Sequence, residues 1–321
     1  MARRCLVTGG AGFIGSHIAA ALIARGDAVR IADDLSTGYR HNLDVNPGAE
    51  FLEGDLADAA FSARAVEGME LVFHQAAIPS VPRSVKDPVT SNRANIDATL
   101  NVLEASRAAG VRRVVYAASS SAYGDTPVLP KHEAMPPNPQ SPYALQKLVG
   151  EQYGQLFTRL YGLETVAIRY FNVFGPRQDP TSAYSGVISQ FAKALLDGRP
   201  PTIYGDGGQT RDFTYIDNVV DGVLRAAEAP GASGEVMNVA TGGRISLLDL
   251  FAVMKRLTGA GVEPIFAEAR PGDVRDSQAD IAKAKRLLGY EPVVPFEEGL
   301  RRTIAWYRDS RPSPAAAVSR A

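Results

Sequence analysis

The chain alternates short apolar runs with longer segments whose apolar residues recur every three to four positions. Arg4–Thr8 and Ala28–Ala32 read as buried strands. Between them, Phe13–Arg25 has apolar residues at helical spacing and is closed by Gly26, which suits a C-cap. Glu50–Gly54, Leu71–Phe73 and Arg113–Ala117 predict further buried strands, and Ala57–Val66 and Pro88–Ala109 predict the helices between them. A helix over Pro142–Tyr161 and a strand over Glu164–Phe171 follow. This rhythm predicts an α/β fold of the Rossmann type, a doubly wound parallel sheet with helices on both faces.

From Pro176-Arg177 onward the pattern is less regular. Gly205–Gly208 and Pro271–Gly272 read as loops, Ile216–Ala229 and Ser246–Leu257 as helices, and Glu235–Val239 as a strand. At 321 residues, the chain exceeds the size at which one core usually stops growing. We expect residues 1–172 with about 214–240 to form the Rossmann-type domain, and about 173–213 with 241–310 a smaller interleaved C-terminal lobe. The tail 311–321, rich in Pro, Ala and Ser, is expected to fray.

Composition narrows the functional classes. A net charge of −1 gives no reason to expect a nucleic acid partner. The single cysteine, Cys5, lies in the first strand and reads as a small buried apolar residue; no disulfide can form within the chain, which fits a reducing compartment. His17, His41, His74 and His132 show no metal-ligand spacing, so no metal site is expected. The apolar run before the first glycines is too short for a signal peptide, and no stretch approaches the roughly 20 apolar residues that span a bilayer. A cytoplasmic protein with no membrane partner is the expectation.

Gly9-Gly10-Ala11-Gly12-Phe13-Ile14-Gly15 follows the first strand and opens the first helix. In that setting Gly9 permits the tight turn, Gly12 lets a pyrophosphate approach the backbone, and Gly15 allows close helix–strand packing. The N–H groups at the helix start then face the phosphates. The second strand ends in Asp33-Asp34, an acidic residue at the distance where a ribose diol is bound, and its charge favours NAD over NADP. Asp33 is the candidate and Asp34 the competitor; Arg40 is the one nearby cation that could meet a 2′-phosphate. Asp55-Leu56 after the third strand would flank adenine, and the small Ala76-Ala77 after the fourth would lie under the cofactor.

Tyr143 and Lys147 stand i, i+4 on a predicted helix and share one face. A lysine so placed can lower the tyrosine pKa and make it a usable base. Ser119-Ser120-Ser121 follows a strand at the sheet edge where ligands bind in open α/β folds, and a hydroxyl there can share a proton with a substrate alcohol.

These motifs, with GGAGFIGSH, SSSAYGD, SPYALQK, RYFNVFGPRQ and RPGDVRDS, resemble the extended short-chain dehydrogenase/reductases over nearly the whole chain. Within them the chain is most similar to the nucleotide-sugar 4-epimerases, and among those to the UDP-N-acetylglucosamine 4-epimerases. The resemblance implies catalysis by Ser119, Tyr143 and Lys147, with Tyr123-Gly124 setting the register. Tyr143 would take the 4-hydroxyl proton while NAD takes hydride from C4, and the 4-keto sugar would turn before hydride returns to its other face. Lys147 would hold the ribose and keep the tyrosine acidic. NAD must then stay bound through the cycle. The related sugar dehydratases carry an Asp-Glu pair where this chain has Ser120-Ser121, which argues against dehydration.

The same resemblance adds Leu35, Ser36, Thr37, Gly38, Gln75, Asn95, Tyr170 and Val173 to the cofactor contacts. It assigns Ser80, Ser120, Ser121, Val187, Tyr204 and Ser277 to the substrate. Asn172 falls near the diphosphate or the sugar, Arg211 and Arg270 near the phosphates, and Asp273 near the nucleotide ribose. In relatives restricted to glucose and galactose a tyrosine closes the pocket where this chain has Ser277, so room for a 2-acetamido group is expected. N-acetylhexosamines feed surface polysaccharides. The alternatives are a UDP-glucose 4-epimerase, another NAD-dependent nucleotide-sugar oxidoreductase, and a non-enzymatic NAD-binding protein. The family implies a homodimer packed through Pro88–Ala109 and Pro142–Tyr161.

Overall fold

The computed structural model describes residues 2–179, 186–269 and 274–310. Arg270, Asp273, the loop Pro271–Gly272 and the tail 311–321 lie outside them. In chain order, the first half comprises β1 (Arg4–Thr8), α1 (Phe13–Ala24), β2 (Ala28–Asp33), α2 (His41–Asp44), β3 (Glu50–Glu53), α3 (Ala59–Val66), β4 (Leu71–His74), α4 (Val81–Lys86), α5 (Pro88–Asn92), α6 (Ala98–Ala108), β5 (Arg113–Ser119) and α7 (Pro142–Tyr161). The second half comprises β6 (Glu164–Tyr170), β7 (Val173–Phe174), α8 (Val187–Leu196), β8 (Thr202–Tyr204), β9 (Thr210–Arg211), β10 (Thr214–Tyr215), α9 (Ile216–Glu228), β11 (Val236–Val239), β12 (Ile245–Ser246), α10 (Leu247–Thr258), β13 (Ile265–Ala267), α11 (Ala282–Leu288) and α12 (Phe296–Asp309).

Seven parallel strands form the central sheet in the order β11-β6-β5-β4-β1-β2-β3. Successive residues of β1 enter opposite cores. Cys5 and Val7 pack with Ile18 and Leu22 of α1 and with Val219 and Val223 of α9. Leu6 packs with Phe61 of α3, Val102 of α6 and Phe157 of α7. Both faces of the inner strands are therefore buried, as parallel sheets require, while the edge strand β3 is only partly covered. The chain reverses its direction of travel across the sheet between β1 and β4, whose ends Thr8 and His74 are paired. A crevice opens beyond the carboxyl ends there, which is where open α/β sheets bind ligands.

The smaller pairings β7–β10, β8–β13 and β9–β12 gather beside that crevice with α8, α10 and α12. Ser246 caps α10 by accepting from the Asp249 N–H at 3.0 Å, and Gly259 ends it in the left-handed conformation.

Two sequence expectations change. The helix predicted over Pro88–Ala109 is divided by a π-helical turn at Arg93–Asp97. Within that turn Asn95 accepts from the Ile78 N–H at 2.8 Å and donates to Gln146 Oε1 at 2.8 Å, partners that an unbroken helix would not aim at. Also, α8, α11 and α12 stand in the region that read as irregular.

Candidate active site

A cavity of about 880 Å³ runs across the crevice. The β1–α1 turn forms one wall. Gly9 has φ +67°, and a Cβ there would lie 2.7 Å from the Ala76 nitrogen. A Cβ on Gly15 would lie 2.2 Å from the Gly9 carbonyl oxygen. The turn therefore closes on itself and on the β4 loop at distances only glycine permits. Gly12 is the N-cap of α1, with no side-chain cap and no acidic residue in the first turn. The N–H groups of that turn are left for an anion, and Gly12, Phe13 and Ile14 line the cavity.

Asp33, at the end of β2, lines the same cavity and is buried. Its Oδ2 accepts from Ala11 N at 3.0 Å and its Oδ1 from Leu35 N at 2.8 Å. Burial raises its pKa and these two bonds oppose the rise. Each oxygen keeps a lone pair for a diol. Asp34 also faces the cavity, but its Oδ1 is bonded to Ser36 N and Oγ. Arg40 pairs with Glu53 at 2.5 Å on the surface. The side chain of Gln75 supplies a further fit. Its Oε1 accepts from the Tyr170 hydroxyl at 2.8 Å, while its buried Nε2 has no partner. An orphaned amide donor, an acidic residue at the β2 end and an uncapped helix start together suit a dinucleotide. Replacing Asp33 with Ser is expected to weaken NAD binding by roughly 10–100-fold and to narrow the preference over NADP. Titration of the stripped protein with both dinucleotides checks this; unchanged NAD affinity would exclude Asp33 as the ribose partner.

Ser36, Thr37, Asp55, Leu56, Ala76, Ala77 and Val173 line the cavity as well. Leu35, Gly38 and Asn95 do not. Leu35 acts on Asp33 through its N–H, and a Cβ on Gly38 would meet Ala11 Cβ at 2.8 Å and Asp33 Oδ1 at 3.0 Å. Asn95 holds the Ile78 backbone, and it is Ile78 that reaches the cavity.

Tyr143 and Lys147 enter from α7, which starts at Ser141 with Pro142 in the first turn. The Tyr143 N–H is held by Ser84 Oγ at 3.1 Å. Burial pushes the Tyr143 phenol up to about 12, and its hydrogen bond to Ser119 pulls the other way. Ser119 Oγ in turn accepts from Ser121 Oγ at 2.8 Å and Ser121 N at 3.2 Å. Lys147 Nζ donates to the Ala117 carbonyl at 2.8 Å. Burial lowers its pKa to about 8, with Glu151 opposing. The lysine is thus poised near neutrality, and the tyrosine is held protonated by its surroundings.

A second cavity, of about 220 Å³, adjoins the first, and Asn172, Val173, Gln178 and Gly186 line both. Val187, Tyr204 and Arg211, which the resemblance assigned to the substrate, line it. Arg211 Nη1 donates to the carbonyls of Thr210 and Arg275 at 2.9 and 2.8 Å. Ser80 lines the first cavity; Ser119, Ser120, Ser121 and Ser277 line neither, and Ser119 reaches the site through its hydrogen bond with Tyr143. Ser277 instead touches Asn172. The Asn172 Nδ2 group donates to Ser277 Oγ and to the Asp212 carbonyl, each at 3.1 Å.

Tyr39, Arg83 and Arg177 also line the first cavity, and sequence reasoning did not select them. Arg177 has φ +66° and donates through Nη2 to His17 Nδ1 at 2.9 Å. His17 Nε2 donates to the Pro176 carbonyl at 3.0 Å. Burial, helped by Arg177, lowers the His17 pKa to about 4, so the imidazole stays neutral and orients the guanidinium. The signal for Arg177 was the RYFNVFGPRQ motif itself, which contains it. Among the described residues no helix is long and apolar enough to cross a membrane, and no group of His, Cys, Asp and Glu could hold a metal.

The sequence model of the NAD-dependent epimerase/dehydratase family matches residues 5–240. A UDP-glucose 4-epimerase of Mycolicibacterium smegmatis is 42% identical over 311 residues, covering 95% of this chain and 99% of that protein. The structure of a UDP-glucose 4-epimerase of Thermotoga maritima with UDP-glucose is 41% identical with a TM-score of 0.92, covering 96% of this chain and 99% of that one. A UDP-N-acetylglucosamine 4-epimerase of Methanobrevibacter ruminantium, in complex with UDP-N-acetylmuramic acid, is 39% identical with a TM-score of 0.92, covering 97% and 99%.

Proposed function

The chain belongs to the NAD-dependent epimerase/dehydratase family and is an NAD-dependent nucleotide-sugar 4-epimerase, and we propose that it interconverts UDP-GlcNAc and UDP-GalNAc. The observation that carries the choice of sugar is the Ser277–Asn172 contact. Both N–H groups of the Asn172 amide are spent on Asp212 and Ser277, which leaves Oδ1 to offer the cavities. A carbonyl oxygen accepts from an acetamido N–H or a hydroxyl and repels a diphosphate, so Asn172 meets the sugar. Ser277 is buried behind Asn172 rather than on a cavity wall, and a tyrosine in its place would displace the Asn172 side chain toward the sugar.

In this reading the Tyr143 phenolate removes the proton of the 4-hydroxyl and Ser119 shares it. Bound NAD supplies the hydride acceptor at C4 and, in its cationic ring, charge that favours the phenolate. The Lys147 ammonium adds to that field from the ribose side. The β1–α1 turn, Asp33 and Gln75 hold the dinucleotide in place while the 4-keto sugar turns. Arg211 meets the substrate diphosphate, joined by Arg270, with Asp273 on the nucleotide ribose. The exposed apolar residues Leu145, Leu156, Leu160 and Tyr161 of α7, with Val85 and Val89, suit burial in a homodimer.

A second reading, the UDP-Glc/UDP-Gal pair, is favoured by the names of two of the relatives above. Incubating the purified protein with UDP-GlcNAc or UDP-Glc, with no added NAD, separates the two. We expect the larger kcat/KM with UDP-GlcNAc, and a Ser277→Tyr variant that loses about 10–200-fold of it while retaining UDP-Glc turnover. Equal loss on both sugars, or none, would remove Ser277 from the specificity argument.

A further inference from the structure

We propose that Glu151, clamped by Arg169, is a positioning residue that keeps the Lys147 side chain in its ammonium form. Tyr143, Lys147 and Glu151 are four residues apart along one face of α7. Lys147 and Glu151 are 4% and 2% exposed, so neither meets bulk water. Arg169 reaches Glu151 from β6 as a fork, Nε to Oε1 at 2.9 Å and Nη2 to Oε2 at 2.7 Å. The guanidinium lies 4.4 Å from the centre of the Tyr123 ring. The Tyr123 hydroxyl donates to Asn238 Oδ1 at 2.7 Å, and Asn238 Nδ2 donates to the carbonyls of Lys131 and Asp280 at 2.9 and 3.0 Å. The clamp is therefore anchored well beyond the helix that carries the reacting groups.

A buried carboxylate with no partner takes up a proton and loses its charge, and a bidentate arginine prevents that. Burial does raise the Glu151 pKa, and Arg169 is the main opposing influence. The other titratable groups facing Lys147 carry no negative charge. His74, from β4, is driven down to about 3 by burial and by Lys147 itself. Tyr116, from β5, has its ring centre 5.1 Å from Lys147 Nζ and is raised well above its ordinary value by burial. Tyr143 is held protonated in the same way. The Ala117 carbonyl accepts from the amine but brings no net charge. Glu151 is thus the anion that offsets the desolvation of Lys147. Without it the amine's pKa would fall further, and less of it would be the ammonium that holds a ribose by charge and favours a phenolate.

The proposal rests on Lys147 acting as a cation in the reaction above, so its test reads the lysine directly as well as turnover. Protein labelled with 13C at lysine Cε, holding the NAD it was purified with, is titrated by NMR, and a Lys147→Met variant assigns the signal. Glu151→Gln should move the Lys147 midpoint down by about one pH unit or more, and Glu151→Asp should keep it near the parent value. Glu151→Gln strands Arg169 and can cost the fold, so the double variant Glu151→Gln/Arg169→Met, which removes both members of the clamp, is run beside it. It too should titrate low, and the alkaline limb of its kcat/KM profile should fall at the same lower pH. A double variant whose Lys147 midpoint coincides with the parent overturns the proposal, as does an unmoved alkaline limb. Shifted midpoints in a protein that epimerises no sugar nucleotide would uphold the charge coupling and overturn only the reaction.

Discussion

Replacing Tyr143 with Phe is expected to lower kcat by about 10²–10⁴-fold, the usual contribution of a positioned acid or base. Only the hydroxyl is lost. The ring keeps its place because the Tyr143 N–H is held by Ser84 and α7 is capped at Ser141, neither of which involves the phenol. The protein should therefore fold, and the NAD released on denaturation should match the parent protein. Turnover is followed as formation of the C4 epimer. Parent-like rates in this variant would remove Tyr143 from the chemistry, and loss of NAD together with activity would make its role one of binding.

Gly15→Ala should have the second largest effect, by another route. The added methyl would overlap the Gly9 carbonyl at 2.2 Å, approach the Gly9 carbonyl carbon at 2.8 Å and Gly10 Cα at 2.9 Å. All three are backbone atoms, so no side chain can swing away. Overpacking of this kind costs about 1–3 kcal/mol. Relief must come from the β1–α1 turn, whose shape presents the N–H groups at the start of α1. We expect protein purified without NAD and a melting temperature lowered by several degrees. Stoichiometric NAD in this variant would show that the turn can open without cost.

Much of the fold was legible in the sequence because a parallel sheet writes itself as uninterrupted apolar runs. Each of the strands and long helices read from the first half is present to within two residues, apart from the π turn at Arg93–Asp97. What was missed has its causes in tertiary packing. Gly299 sits inside α12, where it reads as a helix breaker, yet a Cβ there would approach the Tyr215 ring at 2.8 Å. The glycine serves a close packing that only tertiary structure reveals. Asn95 is a similar case: its side chain is drawn out to Ile78 and Gln146, distant in sequence. Lining residues with a motif around them, such as Gly9, Asp33, Gln75 and Tyr143, could be selected from spacing or resemblance. Tyr39 lies in the loop before α2 and Arg83 within the short helix α4; their approach to the crevice is set by the packing of those elements, and nothing local to them carries that information.

The outermost strand, β11, carries a consequence for synthesis of the chain. It pairs with β6 from Ala167 to Tyr170, although α8, α9 and the β7–β10 segments intervene in sequence. Until Val236–Val239 leaves the ribosome, β6 exposes a bare, apolar edge. Elongation at about 5–20 residues per second leaves that edge open for several seconds. An unprotected strand edge is a template for pairing with other chains. A fragment ending soon after Tyr170 would keep the glycine turn, Tyr143 and Lys147 yet expose that edge permanently. Such a nascent chain is therefore the form most in need of a chaperone, and a truncation there is a poor minimal version of this protein.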